Sequence, residues 1–424
     1  MQIQIRSMQA RQGERLGNFK QEVAILEYIL LISFLLLPKV GAVDLSFMPL
    51  AICAASVFFS GLKNRDGGFK IDRGVMVTAI LTALMFAVSC LSYLVNMTDV
   101  VSEFIFKPIR ILFIILILAL YAKNNSVSFD KVLRVVMIAA LLNGAVVILQ
   151  YLAHAYYGIP DLLLNENFKE RAITPYRKPG LMSGFPVAGL LGVLGFIVAM
   201  YYASLAKSTW MYLAIAFFIF ISILLTSRLA LLLCLIMFIG FGIKKLVSLD
   251  FKAILWVGMT AALGIGFITY ALSSGNDVYV GTFNKMFANV INLEQDGSAY
   301  DDSTRDLVQN HYIVPDNIGV MLIGNSVDPS SNIVNSDVFY IRYLWGNGVF
   351  LVALYLLSMV WMVYGIHQLR KINRGQKFIF YLFCFVVCVA SLKGAYIFSR
   401  VIGDAVLLAY LAARECNEQR AIDG

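Results

Sequence analysis

The chain has 424 residues, of which 60% are hydrophobic and only 14% are charged, and its mean hydropathy is +0.77. A soluble fold carries about 25% charged residues. This composition therefore excludes an ordinary water-soluble protein and predicts an all-α polytopic membrane protein. The formal net charge of +8 would suit a nucleic-acid partner, but the short basic loops lie on one side of the predicted spans, which is typical of a cytoplasmic face. We expect no nucleic-acid partner.

Apolar runs long enough to span a bilayer recur along the chain. We predict about 12 transmembrane helices in a single integral membrane domain over residues 1–424. The Thr226-Ser227-Arg228 sequence divides one long apolar stretch into two of these spans. The predicted spans lie near residues 23–41, 45–62, 75–95, 104–122, 135–153, 181–204, 210–226, 228–243, 254–272, 339–365, 378–396 and 400–413.

The distribution of basic residues predicts the orientation of the chain. The segment 63–74, between the second and third spans, contains several Lys and Arg residues, whereas the segment 96–103, between the third and fourth, contains none. Short basic loops remain on the cytoplasmic side, so both termini are expected there. The first apolar run is long enough to span and is followed by further spans, which argues against a cleavable signal peptide. No CxxC pair suggests a metal site, and we expect neither metal nor cofactor.

Two predicted outer loops are long, and long loops are usually functional or disordered. The first long periplasmic loop covers 154–180 and the second covers 273–338. Both carry apolar residues at helix-like spacing, such as Leu162 and Phe168 in the first and Phe283 and Phe287 in the second. We predict short amphipathic helices at the outer interface, and we expect the chemistry on that side.

Cations near the outer ends of the predicted spans are the most informative feature. An Arg or Lys inside a span costs about 2.5–3.5 kcal/mol on insertion scales, so several at one level need an explanation. One explanation is an anion site, because Arg binds phosphate oxygens bidentately. The alternative is snorkelling to the interface or pairing with Asp99, Glu103, Asp337 or Asp404. These cations are Lys107, Arg110, Arg228, Arg342, Lys393 and Arg400.

The segment from Arg177 to Gly192 enters the sixth span and is rich in Gly and Pro. Such residues occur at membrane depth where backbone lines a cavity, and free N–H groups beside Arg177 would suit a phosphate. Close helix packing through small residues is the alternative. Asp337 precedes the tenth span and could act as an acid or base or as an ordinary helix cap.

The sequence resembles the bacterial O-antigen polymerase/ligase superfamily, and within it the Wzy-type polysaccharide polymerases. The resemblance rests on Arg177 before a Gly/Pro-rich span, the Thr226-Ser227-Arg228 turn, and a large external loop with Arg305 early and Ser336-Asp337-x-x-Tyr340 at its end. Ligases of the superfamily carry a His-Asn pair where Ser336 and Asp337 stand, which favours a polymerase. The Arg-x10-Gly patterns of polymerase loops are not matched strictly in either long loop.

The resemblance implies a GT-C-like fold and a glycosyltransferase that polymerises oligosaccharide repeat units linked to undecaprenyl diphosphate. O-antigen or a related surface polysaccharide would form at the periplasmic face of the inner membrane. We expect Asp337, Arg228 and Arg177 to be catalytic. The residues expected to bind diphosphate are Lys107, Arg110, Arg305, Arg342, Tyr340, Lys393 and Arg400.

The expected partners are undecaprenyl-diphosphate-linked glycans, membrane lipid and a chain-length-regulating co-polymerase. Two other functions stay open at this point. One is an O-antigen ligase that transfers finished polymer to a lipid A core. The other is a lipid-linked oligosaccharide transporter, which the absence of a convincing internal repeat disfavours.

Overall fold

The computed structural model of the chain describes residues 24–37, 39–40, 43–63, 71–96, 102–125, 127–157, 177–182, 184–205, 209–247, 302–326 and 336–422, together with part of residues 258–291. In these ranges the regular structure is helical, apart from one antiparallel pair of two-residue strands. That pair is β1 (Lys39–Val40) and β2 (Val43–Asp44). An all-α fold is therefore confirmed.

The described residues form fourteen helices in chain order. They are α1 (Ala24–Leu36), α2 (Phe47–Lys63), α3 (Arg73–Asn96), α4 (Ser102–Asn124), α5 (Phe129–Tyr157), α6 (Phe185–Leu205), α7 (Thr209–Leu224), α8 (Arg228–Val247), α9 (Asp277–Met286), α10 (Asp302–Asn310), α11 (Ile318–Ile323), α12 (Phe339–Gln368), α13 (Arg374–Ala390) and α14 (Ile402–Ile422).

The chain is a membrane protein. Among the described residues, five helices are long and apolar enough to cross a bilayer, and they lie within α3, α4, α5, α6 and α12. Four shorter apolar helices, α1, α2, α7 and α8, pack beside them. Large apolar side chains such as Phe59, Leu94 and Phe106 are more than half exposed. Such an exposed apolar surface suits contact with lipid tails rather than with water.

Helices α6 and α14 form the centre of the bundle. Residues 188–200 of α6 are buried without interruption, and so are residues 401–413. A helix that is apolar all round belongs in such a place. Gly195 lets α6 approach α5 closely, because a Cβ there would stand 2.2 Å from the Cβ of Ala140. Small residues of this kind permit tight helix packing in membranes.

Polar contacts tie the helices together at one end of the bundle, where α3 and α5 begin and α14 ends. Arg414 Nε donates to Asp72 Oδ1 at 2.6 Å, and its Nη1 donates to the Gly365 carbonyl at 3.2 Å. Tyr202 OH donates to Asp130 Oδ1 at 2.6 Å. We call this the α14-terminal end. The opposite end, where α4, α6, α8, α12 and α14 begin, is called the site end below.

Helix α12 is interrupted at Gly348, whose φ of 78° and ψ of 179° are not helical. The interruption frees backbone carbonyls, which need partners at membrane depth. The segment after α11 supplies them: Asn325 N donates to the Trp345 carbonyl, and Ser326 N to the Gly346 carbonyl, both at 2.8 Å. Part of the second long loop therefore packs into the break in α12.

The described helices overlie most of the predicted spans, and the apolar stretch 210–243 is divided at residues 226–228 into two helices, α7 and α8. The number of twelve spans stays a prediction. Short helices in the second long loop are also present as α9, α10 and α11. Most of the predicted span 254–272 and residues 158–176 of the first long loop lie outside the described residues.

Candidate functional site

Most of the residues singled out in the sequence lie at the site end. Consecutive helices alternate in direction, so the start of α4 lies beside the end of α5, where the segment before α6 also packs. Contacts join the segments at this level: Phe339 N donates to the Ser391 carbonyl at 3.2 Å, and Asn96 Nδ2 to the Gly324 carbonyl at 3.0 Å. The structure thus places most of the candidate cations at one end of the bundle.

Arg110 is held by a carboxylate from the last helix. Its Nη1 and Nη2 donate to the two carboxylate oxygens of Asp404, at 3.0 and 2.5 Å. Asp404 is only 2% exposed. Such a bidentate pair uses the end of the guanidinium fork, so the charge of Arg110 is compensated within the protein. Arg110 is therefore paired with an acid, Asp404, as the alternative to an anion site predicts.

Arg400 is placed differently. Asp44 Oδ1 lies 3.1 Å from its Nη2, and Asp44 Oδ2 lies 3.9 Å from Nε of Arg110. Nevertheless, neither Nε nor Nη2 of Arg400 makes a hydrogen bond, although both atoms are buried. Nε and Nη2 form one edge of the guanidinium plane, which matches two oxygens of a carboxylate or phosphate. Arg400 thus presents a buried two-donor edge whose hydrogen bonds are unmade.

The backbone that presents Arg400 is strained. In the loop between α13 and α14, Phe398 has φ of 50° and Val401 has φ of 71°, values that are rare for bulky or β-branched residues. A Cβ at Gly403 would stand 2.4 Å from the Phe398 Cα, so α14 starts against this loop. Strained residues persist where the surroundings over-determine them, and they cluster at functional sites.

Lys107 lies one turn before Arg110 on α4, inside a ring of aromatic side chains. Its Nζ donates to Tyr343 OH at 2.7 Å and stands 4.8 Å from the centre of that ring. The rings of Phe339 and Tyr355 lie 5.9 and 5.8 Å from the same Nζ. Cation–π contacts of this kind stabilise a desolvated ammonium. Tyr355 also contacts the Phe398 ring, so Lys107 and the strained loop share a wall.

A second set of cations surrounds the segment before α6. Lys178 N donates to the Leu225 carbonyl at 3.1 Å, which places Arg177 and Lys178 beside the turn that leads to Arg228. The Lys178 side chain is completely buried. We call Lys107, Arg110 and Arg400 the first cation group, and Arg177, Lys178 and Arg228 the second cation group.

Two amide side chains of α5 fix the second cation group. Gly180 N donates to Gln150 Oε1 at 3.0 Å, and Leu181 N donates to Asn143 Oδ1 at 2.8 Å. Gly180 has φ of 63°, and a Cβ there would stand 2.4 Å from Asn143 Oδ1. Only glycine fits this left-handed, tightly packed position.

The residues around the start of α12 lie at the margin of the first cation group. Asp337 is exposed, two residues before the helix. Tyr340 OH donates to the Cys388 carbonyl at 3.3 Å. Arg342 and Lys393 are half-buried nearby.

Part of the second long loop covers this margin. Ser336 Oγ donates to the His311 carbonyl at 2.9 Å, and Trp345 Nε1 donates to the Ile313 carbonyl at 2.7 Å. Arg305 lies on α10 with its side chain exposed, outside both cation groups. Asp306 lies on the same helix. Hydrogen bonds from Asn310 and from His311, which follows the helix, lower the pKa of Asp306.

The structure adds residues that sequence reasoning did not select. Asp44 and Lys178 belong to the site end, and Phe339, Tyr343 and Tyr355 enclose Lys107. An acid beside an apolar run is a signal that could have found Asp44. Chemically, a buried two-donor Arg edge with further cations at the same level can bind an oxyanion.

Comparison of the chain with models of protein families, with curated proteins and with solved structures finds no match in any of the three.

Proposed function

We propose that this protein is a glycosyltransferase that joins oligosaccharide repeat units carried on undecaprenyl diphosphate into a long polysaccharide. The resemblance to the Wzy-type polymerases supplies the substrate class. The product would be O-antigen or a related surface polysaccharide. The cations of the site end would hold the diphosphates of donor and acceptor lipids.

One observation carries the proposal. Arg400 stands on a strained loop with buried Nε and Nη2 atoms that make no hydrogen bond, and burying an unsatisfied donor costs about 1–3 kcal/mol. A diphosphate oxygen pair would satisfy both donors at once. Lys107 adds positive charge beside Arg400, while Arg110 is compensated by Asp404. Arg177, Lys178 and Arg228 add further cations at the same end of the bundle.

The chemistry follows from the charge that develops. A hydroxyl at the non-reducing end of the acceptor unit attacks the anomeric carbon of the growing chain, and the bond from that carbon to the diphosphate oxygen breaks. Negative charge then grows on the leaving diphosphate, where preplaced Arg and Lys donors stabilise it. The hydroxyl proton would pass to a base, for which Asp337 is the candidate. The part of the second long loop that covers the start of α12 would orient the acceptor.

The proposal includes a topology. The chain would cross the bacterial inner membrane about twelve times, with both termini in the cytoplasm and the site end at the periplasmic face. Nucleotide sugars are absent on that side, so a transferase working there needs a lipid-linked donor. Membrane lipid and a chain-length-regulating co-polymerase would be its further partners.

The test is reconstitution of the purified protein with lipid-linked repeat units in vesicles, read as a ladder on a gel. The wild type is expected to make a ladder. Arg228→Ala is expected to fold and insert but leave single repeats unjoined, because a cation at the leaving diphosphate is lost. Asp337→Asn is expected to lower the rate at which the ladder of polymers forms.

Arg134→Ala is the matched control, because Arg134 lies at the α14-terminal end in an exposed pair with Asp130. Its ladder is expected to equal that of the wild type. No ladder from the wild type would refute a polymerase. Transfer of finished polymer to lipid A core by the same vesicles would select the ligase instead.

A further inference from the structure

The two Arg residues of the first cation group have carboxylate partners that contact them in different ways. Arg110 and Arg400 are accompanied by two carboxylates, those of Asp44 and Asp404. Asp404 makes two aligned hydrogen bonds to Arg110 and is almost wholly buried. Its contribution is therefore structural: without it, Arg110 would be a buried charge without compensation.

Asp44 makes a different kind of contact. It lies 3.1 Å from Arg400 Nη2 and 3.9 Å from Arg110 Nε, and the Arg400 donors on that edge make no hydrogen bond. Its Oδ1 instead accepts hydrogen bonds from Ser46 N at 2.9 Å and Ser46 Oγ at 2.7 Å. Asp44 thus neutralises the Arg400 charge without satisfying the Arg400 donors.

Asp44 also belongs to a small, separable element. It ends the β1–β2 ladder, which consists of two residue pairs, before α2 begins at Phe47. Asp404 is embedded in the central helix α14. A carboxylate on a short hairpin can move away from a guanidinium at little cost to the bundle, whereas one within the central helix cannot.

We propose that Asp44 is an exchangeable counter-ion: an anionic diphosphate takes its place on the Nε and Nη2 edge of Arg400. This inference rests on the proposed function for the identity of the anion. In the empty site, Asp44 offsets the Arg400 charge. In the occupied site, two oxygens of the diphosphate accept the hydrogen bonds that Asp44 leaves unmade, and the Asp44 carboxylate is displaced from Arg400.

The proposal predicts that loss of the Asp44 charge increases the affinity for diphosphate. Removing an acid from a binding site usually costs stability or leaves affinity unchanged, but here it removes a competitor for Arg400 and a like charge beside the ligand. Unit charges about 6 Å apart still interact appreciably at the effective dielectric of a protein surface. Asp44→Asn is therefore expected to bind a diphosphate about tenfold more tightly, the ratio that corresponds to ~1.4 kcal/mol.

The experiment measures binding of farnesyl diphosphate and of inorganic pyrophosphate to the full chain in phosphatidylcholine nanodiscs by calorimetry. Tighter binding of both probes to Asp44→Asn assigns the diphosphate itself as the ligand. Tighter binding of farnesyl diphosphate alone assigns a membrane-anchored headgroup. Arg400→Lys keeps one positive charge but lacks the two-donor edge, and is expected to weaken binding about tenfold.

Asp130→Asn is the matched control, the same substitution at the other end of the bundle, and is expected to leave affinity unchanged. Unchanged or weaker binding by a folded Asp44→Asn variant overturns the proposal. Asp44→Ser is a second variant with the same expected sign. Loss of the folded protein in both variants also overturns it, since a displaceable carboxylate is not needed for folding.

The two proposals fail separately. If the wild type binds diphosphate and Asp44→Asn binds it more tightly, yet no ladder forms, the exchange stands and the polymerase does not. If a ladder forms and Asp44→Asn binds no more tightly, the polymerase stands and the exchange does not.

Discussion

Arg110 and Arg400 occupy one cluster and have different partners. Arg110 is locked by two aligned bonds to Asp404, while Arg400 keeps a buried edge unsatisfied. The charge alone does not separate these two roles, because both residues are Arg at the outer end of a predicted span. The geometry of their carboxylate partners separates them, and it is the reason why we propose Arg400 as the ligand-binding residue.

The Arg110–Asp404 pair is expected to carry stability. Asp404→Asn leaves the guanidinium of Arg110 buried with less compensation, and breaking a buried pair costs about 3–5 kcal/mol. The thermal unfolding temperature of the purified protein in detergent is therefore expected to fall clearly. Asp130→Asn breaks an exposed ion pair with Arg134 and keeps a side-chain oxygen that can accept the Tyr202 hydroxyl, so a loss of about 0–1 kcal/mol is expected. Equal losses for the two variants would contradict the structural role of Asp404.

Which residues pair could not be predicted from the sequence. Arg110 and Asp404 are separated by 294 positions, and Asp404 was one of four acids considered as partners. The cation set itself was predictable, because Lys and Arg inside apolar segments are costly and therefore conspicuous. The aromatic side chains that surround Lys107 could not be predicted, because Phe and Tyr in a span usually indicate packing or lipid contact.

At the scale of elements, helix α12 is built in two parts. Gly348 breaks it, and the segment after α11 closes the break with hydrogen bonds to residues 345 and 346. The first part holds Phe339 and Tyr343 against Lys107. The second long loop therefore supports the site by fixing the half-helix that encloses Lys107.

Gly348→Ala is expected to damage this element. The φ and ψ of Gly348 belong to a region that is essentially restricted to glycine, and a Cβ would stand 2.1 Å from the Leu322 carbonyl oxygen. We expect a stability loss of about 2 kcal/mol or more, measured by thermal unfolding.

Gly240→Ala is the comparison, because a Cβ there meets nothing within 4 Å on α8. Because alanine has a higher helix propensity than glycine, we expect the unfolding temperature to equal or slightly exceed that of the wild type. A Gly348→Ala protein as stable as Gly240→Ala would mean that α12 does not need its break.

Most helices were predictable from apolar runs, and the α7–α8 turn from its polar triplet Thr226-Ser227-Arg228. The break in α12 was not. Gly348 lies in the interior of a predicted span at 339–365, where a glycine is ordinarily tolerated. Only the partner segment 324–326, remote in sequence, makes the interruption favourable.

At the scale of the whole molecule, the two ends of the bundle differ in how their charges are used. At the α14-terminal end, Arg414 and Asp72 are matched by aligned hydrogen bonds. At the site end, cations gather from α4, the segment before α6, the start of α8 and the loop before α14. Among the residues that the structure describes, this gathering of cations supports the proposal of an anion site at the site end.

The proposed orientation can be checked by cysteine labelling of intact cells. Asn310→Cys, on exposed α10, is expected to react with a membrane-impermeant maleimide, because the site end faces outward in the proposal. Arg370→Cys lies between α12 and α13 at the other end, is exposed, and should react only after the cells are opened. The reverse pattern would invert the topology.

We propose that the site end holds the diphosphate of a glycan-bearing lipid on Arg400. The decisive experiment is an experimental structure with an undecaprenyl-diphosphate-linked sugar bound. We expect diphosphate oxygens within hydrogen-bond distance of Arg400 Nε and Nη2, with Asp44 moved away. Diphosphate density at the α14-terminal end, or density at the site end that leaves Arg400 untouched, would show that the proposal is wrong.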